Sequence, residues 1–231
     1  MKIALLGYGK MGKTIERLAQ NRGHEIIFRI NEDIEKFDLQ QVDVAIDFSI
    51  PAAAFKNITS CFEQQVPVVS GTTGWLEKYS EAVELCRSKN AAFIYASNFS
   101  LGVNLFFELN KKLAQMMSNF PEYDVALEEI HHTQKLDAPS GTAISLAEQI
   151  IENSAKTGWN LGEASKEEIP VTAKRIENVP GTHCVSYNSD VDTIKIEHIA
   201  HSRDGFALGA IIAAEWLQHK KGVFTMKDVL F

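Results

Sequence analysis

One short segment, EIHHTQKLDAPSGTA at residues 129–143, holds most of the side chains that could carry out acid–base chemistry. His131 and His132 can each donate a proton near neutral pH, and Lys135 supplies a cation in the same segment. The run Ser-Gly-Thr at residues 140–142 is predicted to begin a helix, where hydroxyls, unpaired N–H groups and the helix dipole favour a bound carboxylate. The segment therefore predicts a site that protonates a small carboxylated substrate.

Two other interpretations of this segment stay open at this stage. The adjacent histidines could bind a metal, but neighbouring residues on a strand point to opposite faces. Since no further cluster of Cys, His and Asp completes such a site in the sequence, we expect no metal. Alternatively, the histidines lie on the surface and Ser140 merely caps a helix.

A glycine-rich loop, GYGKMG, stands at residues 7–12. It follows the apolar run Ile3–Leu6 and opens a helical pattern, which is the context of a dinucleotide-binding βαβ unit. Its glycines permit a tight turn and let a pyrophosphate approach the N–H groups of the helix N-terminus. A simple strand–helix turn would need one glycine rather than three. The predicted cofactor contacts are Gly7, Tyr8, Gly9, Lys10, Met11 and Gly12.

The adenine ribose of a dinucleotide is expected at the end of the second predicted strand. Asn31, Glu32 or Asp33 could bind the ribose hydroxyls there, with Asn31 our candidate, whereas Arg29 could favour a 2′-phosphate. The sequence therefore leaves NADH and NADPH both open. An exposed turn is an equal alternative for any one of these residues.

Two further loops follow predicted strands of the same sheet. The carboxyl ends of parallel strands are where ligands bind in such sheets, and small hydroxyl residues there suit the nicotinamide half of a dinucleotide. Ordinary capping of the following helices by Ser or Thr is the alternative. The candidate residues are Gly71, Thr72 and Thr73 after the fourth strand, and Ser97, Asn98, Phe99 and Ser100 after the fifth.

Strands alternate with helices up to about residue 101, which predicts an α/β fold with an N-terminal Rossmann-like, doubly wound parallel sheet. The pattern then changes to that of a C-terminal α+β domain with a mixed sheet, and the polar region at residues 156–168 is predicted to be a mobile insertion. The predicted domains are 1–102 for dinucleotide binding, 103–206 for substrate binding, and 207–231 for a helix and tail that return to the first domain.

The composition narrows the class of protein. A net charge of −7 without a long basic run argues against a nucleic-acid partner, because binding to phosphates needs a basic surface. Three cysteines, far apart in the sequence, fit neither a disulfide framework nor a CxxC metal pattern. No apolar stretch approaches the ~20 residues that span a bilayer, and the N-terminus does not read as a signal peptide. We therefore expect a cytoplasmic protein without a membrane partner.

Four motifs, in this order, make the chain resemble dihydrodipicolinate reductase, also called 4-hydroxy-tetrahydrodipicolinate reductase, of bacterial lysine and diaminopimelate synthesis. The resemblance covers essentially the whole chain. The motifs are the glycine loop at 7–12 with Met11, GTTG at 71–74, Ser-Asn-Phe-Ser at 97–100, and the highly specific HHxxKxDAPSGT at 131–142.

The resemblance implies reduction of a small dicarboxylate, 4-hydroxy-tetrahydrodipicolinate, by NADH or NADPH, with loss of water, in a homotetramer assembled through the C-terminal sheets. It implies His131 as the general acid or base and Lys135 as a second proton donor. The residues that it implies for the substrate carboxylates are His132, Lys135, Ser140, Gly141 and Thr142.

The sequence departs from the family pattern at two places that concern ligands. Asn31 stands where the family often has Glu, and the segment from Arg175 to His183 matches the family's Arg-Gly-Gly form only loosely. Another Rossmann-fold reductase of a small amino or keto acid is therefore the enzymatic alternative. A nicotinamide-responsive regulator without catalysis is the other.

Overall fold

The chain folds into two compact units in a computed structural model that describes residues 1–202 and 204–231. The first unit contains Met1–Leu101 and Asp204–Phe231, and the second contains Gly102–Arg203. Among the described residues, no helix combines the length and the apolar character needed to cross a membrane.

The N-terminal part of the first unit alternates strands with helices, as the sequence predicts. Short 3-10 turns at Ile34–Lys36 and Leu76–Lys78 interrupt the alternation. The regular elements are β1 (Lys2–Leu6), α1 (Lys10–Asn21), β2 (Glu25–Ile30), β3 (Val44–Asp47), α2 (Pro51–Glu63), β4 (Val68–Ser70), α3 (Tyr79–Ser88) and β5 (Ala92–Tyr95).

The remaining elements form the second unit and then complete the first. The next elements in chain order are α4 (Leu101–Met117), β6 (Asp124–His131), α5 (Gly141–Glu152), β7 (Gly158–Leu161), β8 (Glu168–Arg175), β9 (Gly181–Asn188) and β10 (Thr193–Ala200). The last three are α6 (Asp204–Leu217), β11 (Gly222–Phe224) and α7 (Met226–Leu230).

The sheet of the first unit has the strand order β11-β5-β4-β3-β1-β2, and all of its pairs are parallel. Its inner strands are apolar on both faces. In β1, Ile3 and Leu5 belong to one core cluster together with residues of α1 and α6, whereas Ala4 and Leu6 belong to a second cluster with residues of α2 and α3. Helices therefore cover both faces, which confirms the predicted Rossmann-like doubly wound sheet.

The sheet of the second unit has the order β10-β9-β6-β8-β7. Strands β10, β9 and β6 pair antiparallel, while β6, β8 and β7 pair parallel. Residues of α4 and α5 pack with Leu127, Val171 and Val185 of this sheet in one core cluster. The predicted α+β domain with a mixed sheet is confirmed.

Three details differ from the prediction. The region at residues 156–168 is not an unstructured insertion, because β7 pairs with β8 and Trp159 packs against the core cluster. Helix α6 begins at Asp204 rather than near Ala207. The sequence analysis also missed β11 and α7, which are short and carry little periodicity.

Helix α6 approaches the chain at Phe99 so closely that only glycine fits at Gly209, where a Cβ would lie 1.7 Å from the Phe99 carbonyl oxygen. We expect Gly209→Ala to lower the free energy of unfolding by about 1–3 kcal/mol, the usual cost of overpacking. Gly205→Ala is the matched control in the same helix, because its Cβ would meet only Ser100 Oγ at 3.6 Å. Alanine favours a helix over glycine by about 1 kcal/mol, so the control should be neutral or stabilising. Urea unfolding of both variants checks this, and parental stability of Gly209→Ala would contradict it.

Candidate active site

One face of strand β6 carries apolar core residues in its first half and titratable residues in its second half. Val125 and Leu127 pack in the core of the second unit. Because side chains alternate along a strand, the next two residues on this face are Glu129 and His131, and both are buried. The apolar half of the strand therefore fixes the direction in which the other half points.

The neighbouring strands bring two more polar residues to the same end of this face. His183 of β9 is paired with Glu129, and Arg175 of β8 is paired with His131. Directly paired residues share a face of the sheet. The sequence analysis named His131 as a site residue, missed Glu129, and assigned no contact to Arg175 or His183. Continuing the two-residue alternation of β6 past Leu127 would have found Glu129.

The carboxylate of Glu129 has no exposed surface and is surrounded by donors. It accepts the backbone N–H of Ser140 at 3.0 Å and Nη2 of Arg175 at 3.1 Å, and Nδ1 of His131 lies 3.3 Å from it. Burial alone would raise the pKa of Glu129, but the nearby His131 ring and the hydrogen bonds from Ser140 and Arg175 outweigh burial and lower the pKa to about 2. The group is therefore a carboxylate at neutral pH.

Ser140 joins this cluster to helix α5. Its Oγ accepts the N–H of Ala143 at 3.2 Å, as an N-cap does, and lies 3.1 Å from Nε2 of His183. Burial, with a smaller contribution from His131, lowers the pKa of His183 to about 4, so this imidazole is neutral at pH 7. The Ser140 hydroxyl is thus engaged within the fold. Gly141, by contrast, is exposed, with open space where a Cβ would lie.

The loop between His132 and Ser140 is held by Arg175. Its Nε donates to the carbonyl of Lys135 at 3.3 Å, and its Nη2 donates to the carbonyl of Asp137 at 2.6 Å. The ammonium of Lys135 lies 2.8 Å from both carboxylate oxygens of Asp137, and this contact lowers the pKa of Asp137. The predicted proton donors His131 and Lys135 therefore both lie next to groups that Arg175 contacts.

Glu129, His131 and His183 place one ligand atom each within 4.8 Å of one another, a spacing that a metal ion could bridge. The carboxylate oxygens already accept hydrogen bonds from Arg175 and from the Ser140 N–H. A positively charged guanidinium on the same carboxylate opposes a further cation. These contacts disfavour a metal ion at this cluster.

In the glycine loop of the first unit, two glycines lie so close to backbone carbonyls that no side chain would fit. Gly7 has φ +93°, and a Cβ there would lie 2.2 Å from the carbonyl oxygen of Phe48. A Cβ on Gly12 would lie 2.4 Å from the carbonyl oxygen of Gly7. Nothing lies within 4 Å of the Cβ position of Gly9. The loop therefore keeps space free at Gly9, just before the N-terminus of α1, where a phosphate group would fit.

A cavity of about 500 Å³ opens beside this loop. Three of the six predicted loop residues line it (Gly7, Tyr8 and Gly9), and so does Asn31. Lys10 and Gly12 do not, and Met11 packs against the apolar core instead. The other residues that line the cavity are Ile30, Glu32, Asp33, Ile34, Phe48, Ser49, Ile50, Ala52, Ala53, Lys56 and Asn57.

The side of this cavity that Asn31 lines has contacts that the sequence did not reveal. Asn31 accepts the backbone N–H of Tyr8 through Oδ1 at 2.6 Å, which leaves its Nδ2 to donate. Arg29 does not line the cavity; it bonds to Glu16 of α1 and lies over the ring of Tyr8. The cation that lines the cavity is Lys56, which is paired with Asp33.

Asp47, at the end of β3, is the second buried carboxylate of the protein that sequence analysis missed. Its oxygens accept hydrogen bonds from Ser49, Asn57, Ser70 and Thr72 at 2.7–3.0 Å. Burial raises its pKa, and these four hydrogen bonds oppose the rise. Thr72, a predicted cofactor contact, is therefore committed through its hydroxyl to Asp47.

The remaining predicted cofactor residues differ in exposure. Thr73 is exposed. At Gly71 there is no room for a side chain, because a Cβ would lie 2.3 Å from the ring of Phe48. Phe99 is buried and packs against Phe48, with 5.9 Å between the ring centres. The loop around it is shaped locally, since Asn98 Oδ1 accepts the N–H of Ser100 at 2.9 Å. Ser97 also belongs to this loop and is exposed.

Two models of one protein family match separate parts of the chain. Residues 102–230 match the model described as "Dihydrodipicolinate reductase, C-terminus", and residues 23–99 match the one described as "Dihydrodipicolinate reductase, N-terminus". The chain belongs to the dihydrodipicolinate reductase family. The resemblance predicted from the motifs is thereby confirmed. The glycine loop at residues 7–12 precedes the N-terminal match, so its assignment depends on its own geometry.

Individual relatives extend the similarity over the full chain. A 4-hydroxy-tetrahydrodipicolinate reductase of Christiangramia forsetii is 63% identical over 233 residues, covering 100% of this chain and 98% of the relative. One of Thermosipho africanus is 35% identical with the same coverage. The dipicolinate-bound dihydrodipicolinate reductase of Paenisporosarcina sp. TG-14 superimposes with a TM-score of 0.80 at 22% identity, covering 100% of this chain and 99% of that structure. The last comparison supports the fold.

The two glycines of the loop should respond differently to a side chain. Gly9→Val should weaken nucleotide binding at least about 10-fold, or ~1.4 kcal/mol, because the side chain would fill the space left for a pyrophosphate. It should leave the fold intact, since no protein atom lies near the Cβ position. Gly12→Ala should instead lower the melting temperature, because its Cβ meets the Gly7 carbonyl. Nucleotide titration and thermal melting separate the two, and parental affinity in Gly9→Val would move the cofactor elsewhere.

Proposed function

We propose that the chain reduces 4-hydroxy-tetrahydrodipicolinate to tetrahydrodipicolinate with NADH or NADPH and releases water, as a step of lysine and diaminopimelate synthesis. The observation that carries this proposal is the 63% identity, over the full chain, to a relative that bears the name of this activity. As a member of the family, the chain is an oxidoreductase.

The reaction needs a hydride and groups that supply protons. The reduced nicotinamide supplies the hydride when it is bound. Departure of the 4-hydroxyl as water needs an acid and leaves a carbon–carbon double bond conjugated with the ring imine. Hydride addition at the carbon that lost the hydroxyl leaves negative charge spread towards the ring nitrogen, and a proton must neutralise it. We assign these proton transfers to His131, at the end of β6, and to Lys135 in the loop that follows.

The substrate carboxylates would be bound by the start of α5 and by the loop before it. The N–H groups of Gly141 and Thr142 lie in the first helical turn, where backbone donors have no partner within the helix. Lys135 would exchange its contact with Asp137 for a substrate carboxylate, and His132 would add a second positive or donor group. Ser140 would act by fixing the helix start, because its hydroxyl already caps α5.

The dinucleotide would be bound by the first unit. The free space at Gly9 suits the pyrophosphate, and the cavity beside Tyr8 and Asn31 suits the adenosine half. The loops at residues 71–73 and 97–100, at the ends of β4 and β5, would face the nicotinamide half. Asn31 would donate through Nδ2 to the ribose.

A direct assay tests the proposed function. The protein is mixed with reduced nucleotide and the freshly formed condensation product of pyruvate and aspartate semialdehyde, and nucleotide oxidation is followed by absorbance. Turnover that depends on the condensation product supports the proposal. Nucleotide binding without turnover would favour a regulatory protein instead, and turnover only with other amino or keto acids would favour a different reductase.

We also propose that the chain is cytoplasmic and forms a homotetramer through the sheets of its second unit. The three cysteines, Cys61, Cys86 and Cys184, are free thiols, as expected in a reducing compartment. In the sheet of the second unit, β10 is an edge strand, and Ile194 and Ile199 of this strand are exposed. Light scattering should give a mass of four chains.

Removal of either proposed proton donor should slow the chemical step. We expect His131→Ala and Lys135→Ala each to lower kcat by about 10²–10⁴-fold, the usual contribution of a positioned acid or base. His132→Ala should raise KM more than it lowers kcat if it mainly binds a carboxylate. Nucleotide affinity should barely change in all three, because the glycine loop belongs to the first unit. Near-parental kcat in both alanine variants would refute the catalytic assignment.

Both reduced nucleotides should serve as hydride donors. Asn31 presents an amide rather than a carboxylate, so nothing at this position repels a 2′-phosphate, and the cavity is lined by Lys56 as well as by Glu32 and Asp33. We therefore expect kcat/KM for NADH and NADPH to differ by less than about 100-fold, or ~2.7 kcal/mol. Steady-state kinetics with each nucleotide measures the ratio, and a larger preference contradicts this expectation.

A further inference from the structure

The proton transfers proposed above use His131 and Lys135. They give no role to Glu129, a fully buried carboxylate of the second unit. Glu129 is fully buried, so it cannot meet a substrate through solvent. Yet it lies within 3.3 Å of His131, Ser140 and Arg175, which belong to three different elements. A carboxylate that serves only the fold would not need to contact the ring of the proposed acid.

We propose that Glu129 is a positioning residue for the reduction, which fixes the tautomer and the orientation of His131. The proposal rests on the proposed function for its kinetic consequences, while its structural content concerns His131 alone. An ionised carboxylate can only accept hydrogen bonds, so Glu129 favours the tautomer of His131 that carries its hydrogen on the facing Nδ1. Its Nε2 is then the atom that exchanges a proton with a substrate.

The surroundings of His131 agree with this orientation. Nδ1 of His131 is buried and makes no other hydrogen bond among the described residues, and the polar atom that faces it is a carboxylate oxygen of Glu129 at 3.3 Å. On the other side of the ring, Nε2 faces Gly181 of β9, where a Cβ would lie only 3.2 Å away. The absence of a side chain at Gly181 therefore leaves room beside the very atom that would meet the substrate.

Glu129 also connects His131 to the residues that would bind the carboxylates. The N–H of Ser140, at the start of α5, donates to the same carboxylate oxygen that faces Nδ1 of His131. Arg175 donates to the other oxygen and to the carbonyls of Lys135 and Asp137. One carboxylate thus sets the positions of the proposed acid, the loop that carries Lys135 and the helix start. Its effect on His131 should appear in kcat.

The first test is spectroscopic and needs no substrate. Nitrogen-15 NMR of the full chain, labelled at histidine, distinguishes a neutral ring protonated at Nδ1 from one protonated at Nε2, and a His131→Gln sample assigns the signal. The proposal predicts the Nδ1-protonated form for neutral His131 in the parent. Observation of the Nε2-protonated form in the parent would overturn it without any variant.

The second test compares matched variants. Glu129→Gln removes the charge but keeps the shape, and should mix the two tautomers of His131 and lower kcat by about 10–100-fold, the size of effect typical of residues that orient a functional histidine. KM should change less than kcat. Glu129→Asp keeps the charge and should recover part of kcat. Glu128→Gln, on the opposite face of β6 and paired with Lys174, is the control and should behave as the parent.

The outcomes separate this inference from the proposed function. If the parent lacks reductase activity, the NMR measurement still decides the role of Glu129. If the parent is active, an unchanged tautomer and a kcat within threefold of the parent in Glu129→Gln overturn the inference. If Glu129→Gln does not fold, as judged by circular dichroism, the parental NMR signal and the kcat of Glu129→Asp decide it.

Discussion

The carboxylate of Glu129 has no contact with water, and a buried charge costs several kcal/mol unless protein donors replace its hydration. Those donors come from Arg175 at the end of β8 and from the N–H of Ser140 at the start of α5. Strand β6, strand β8 and helix α5 must therefore meet at one point for the second unit to be stable. The same requirement brings His131 beside them, so the site's geometry follows from satisfying one charge.

The first unit also contains a buried carboxylate, but the donors around it are different. Asp47 is also fully buried at the end of a strand, but its four side-chain donors are neutral. Because these donors come from β4, from the loops after β3 and β4 and from α2, they fix the backbone at the edge where ligands bind in parallel sheets. Arg175 places a positive charge beside Glu129 of the second unit. The neutral donors around Asp47 add no positive charge to the sheet edge of the first unit.

Periodicity and motif context predicted the elements and the placement of His131 well, because both depend on neighbouring residues in the sequence. Glu129 was missed because an acidic residue in an alternating strand usually faces water, and its burial depends on pairing with β8 and β9 far along the chain. The same limitation hid the bond between Arg29 and Glu16, which removes that arginine from the cavity wall. Strand β7 was missed because its order comes from backbone pairing with β8 rather than from apolar periodicity.

The first unit is assembled from both ends of the chain, and this has a consequence during synthesis. Helix α6 covers strands β3, β4 and β5, and β11 completes the sheet beside β5, but both elements are translated after the second unit. At about 5–20 residues per second, synthesis of the second unit takes on the order of 5–20 s, and during this time the face of the first sheet that α1 and α6 cover has only α1. All residues of the second unit emerge before that helix does. Synthesis of the first unit therefore begins before that of the second unit and ends after it.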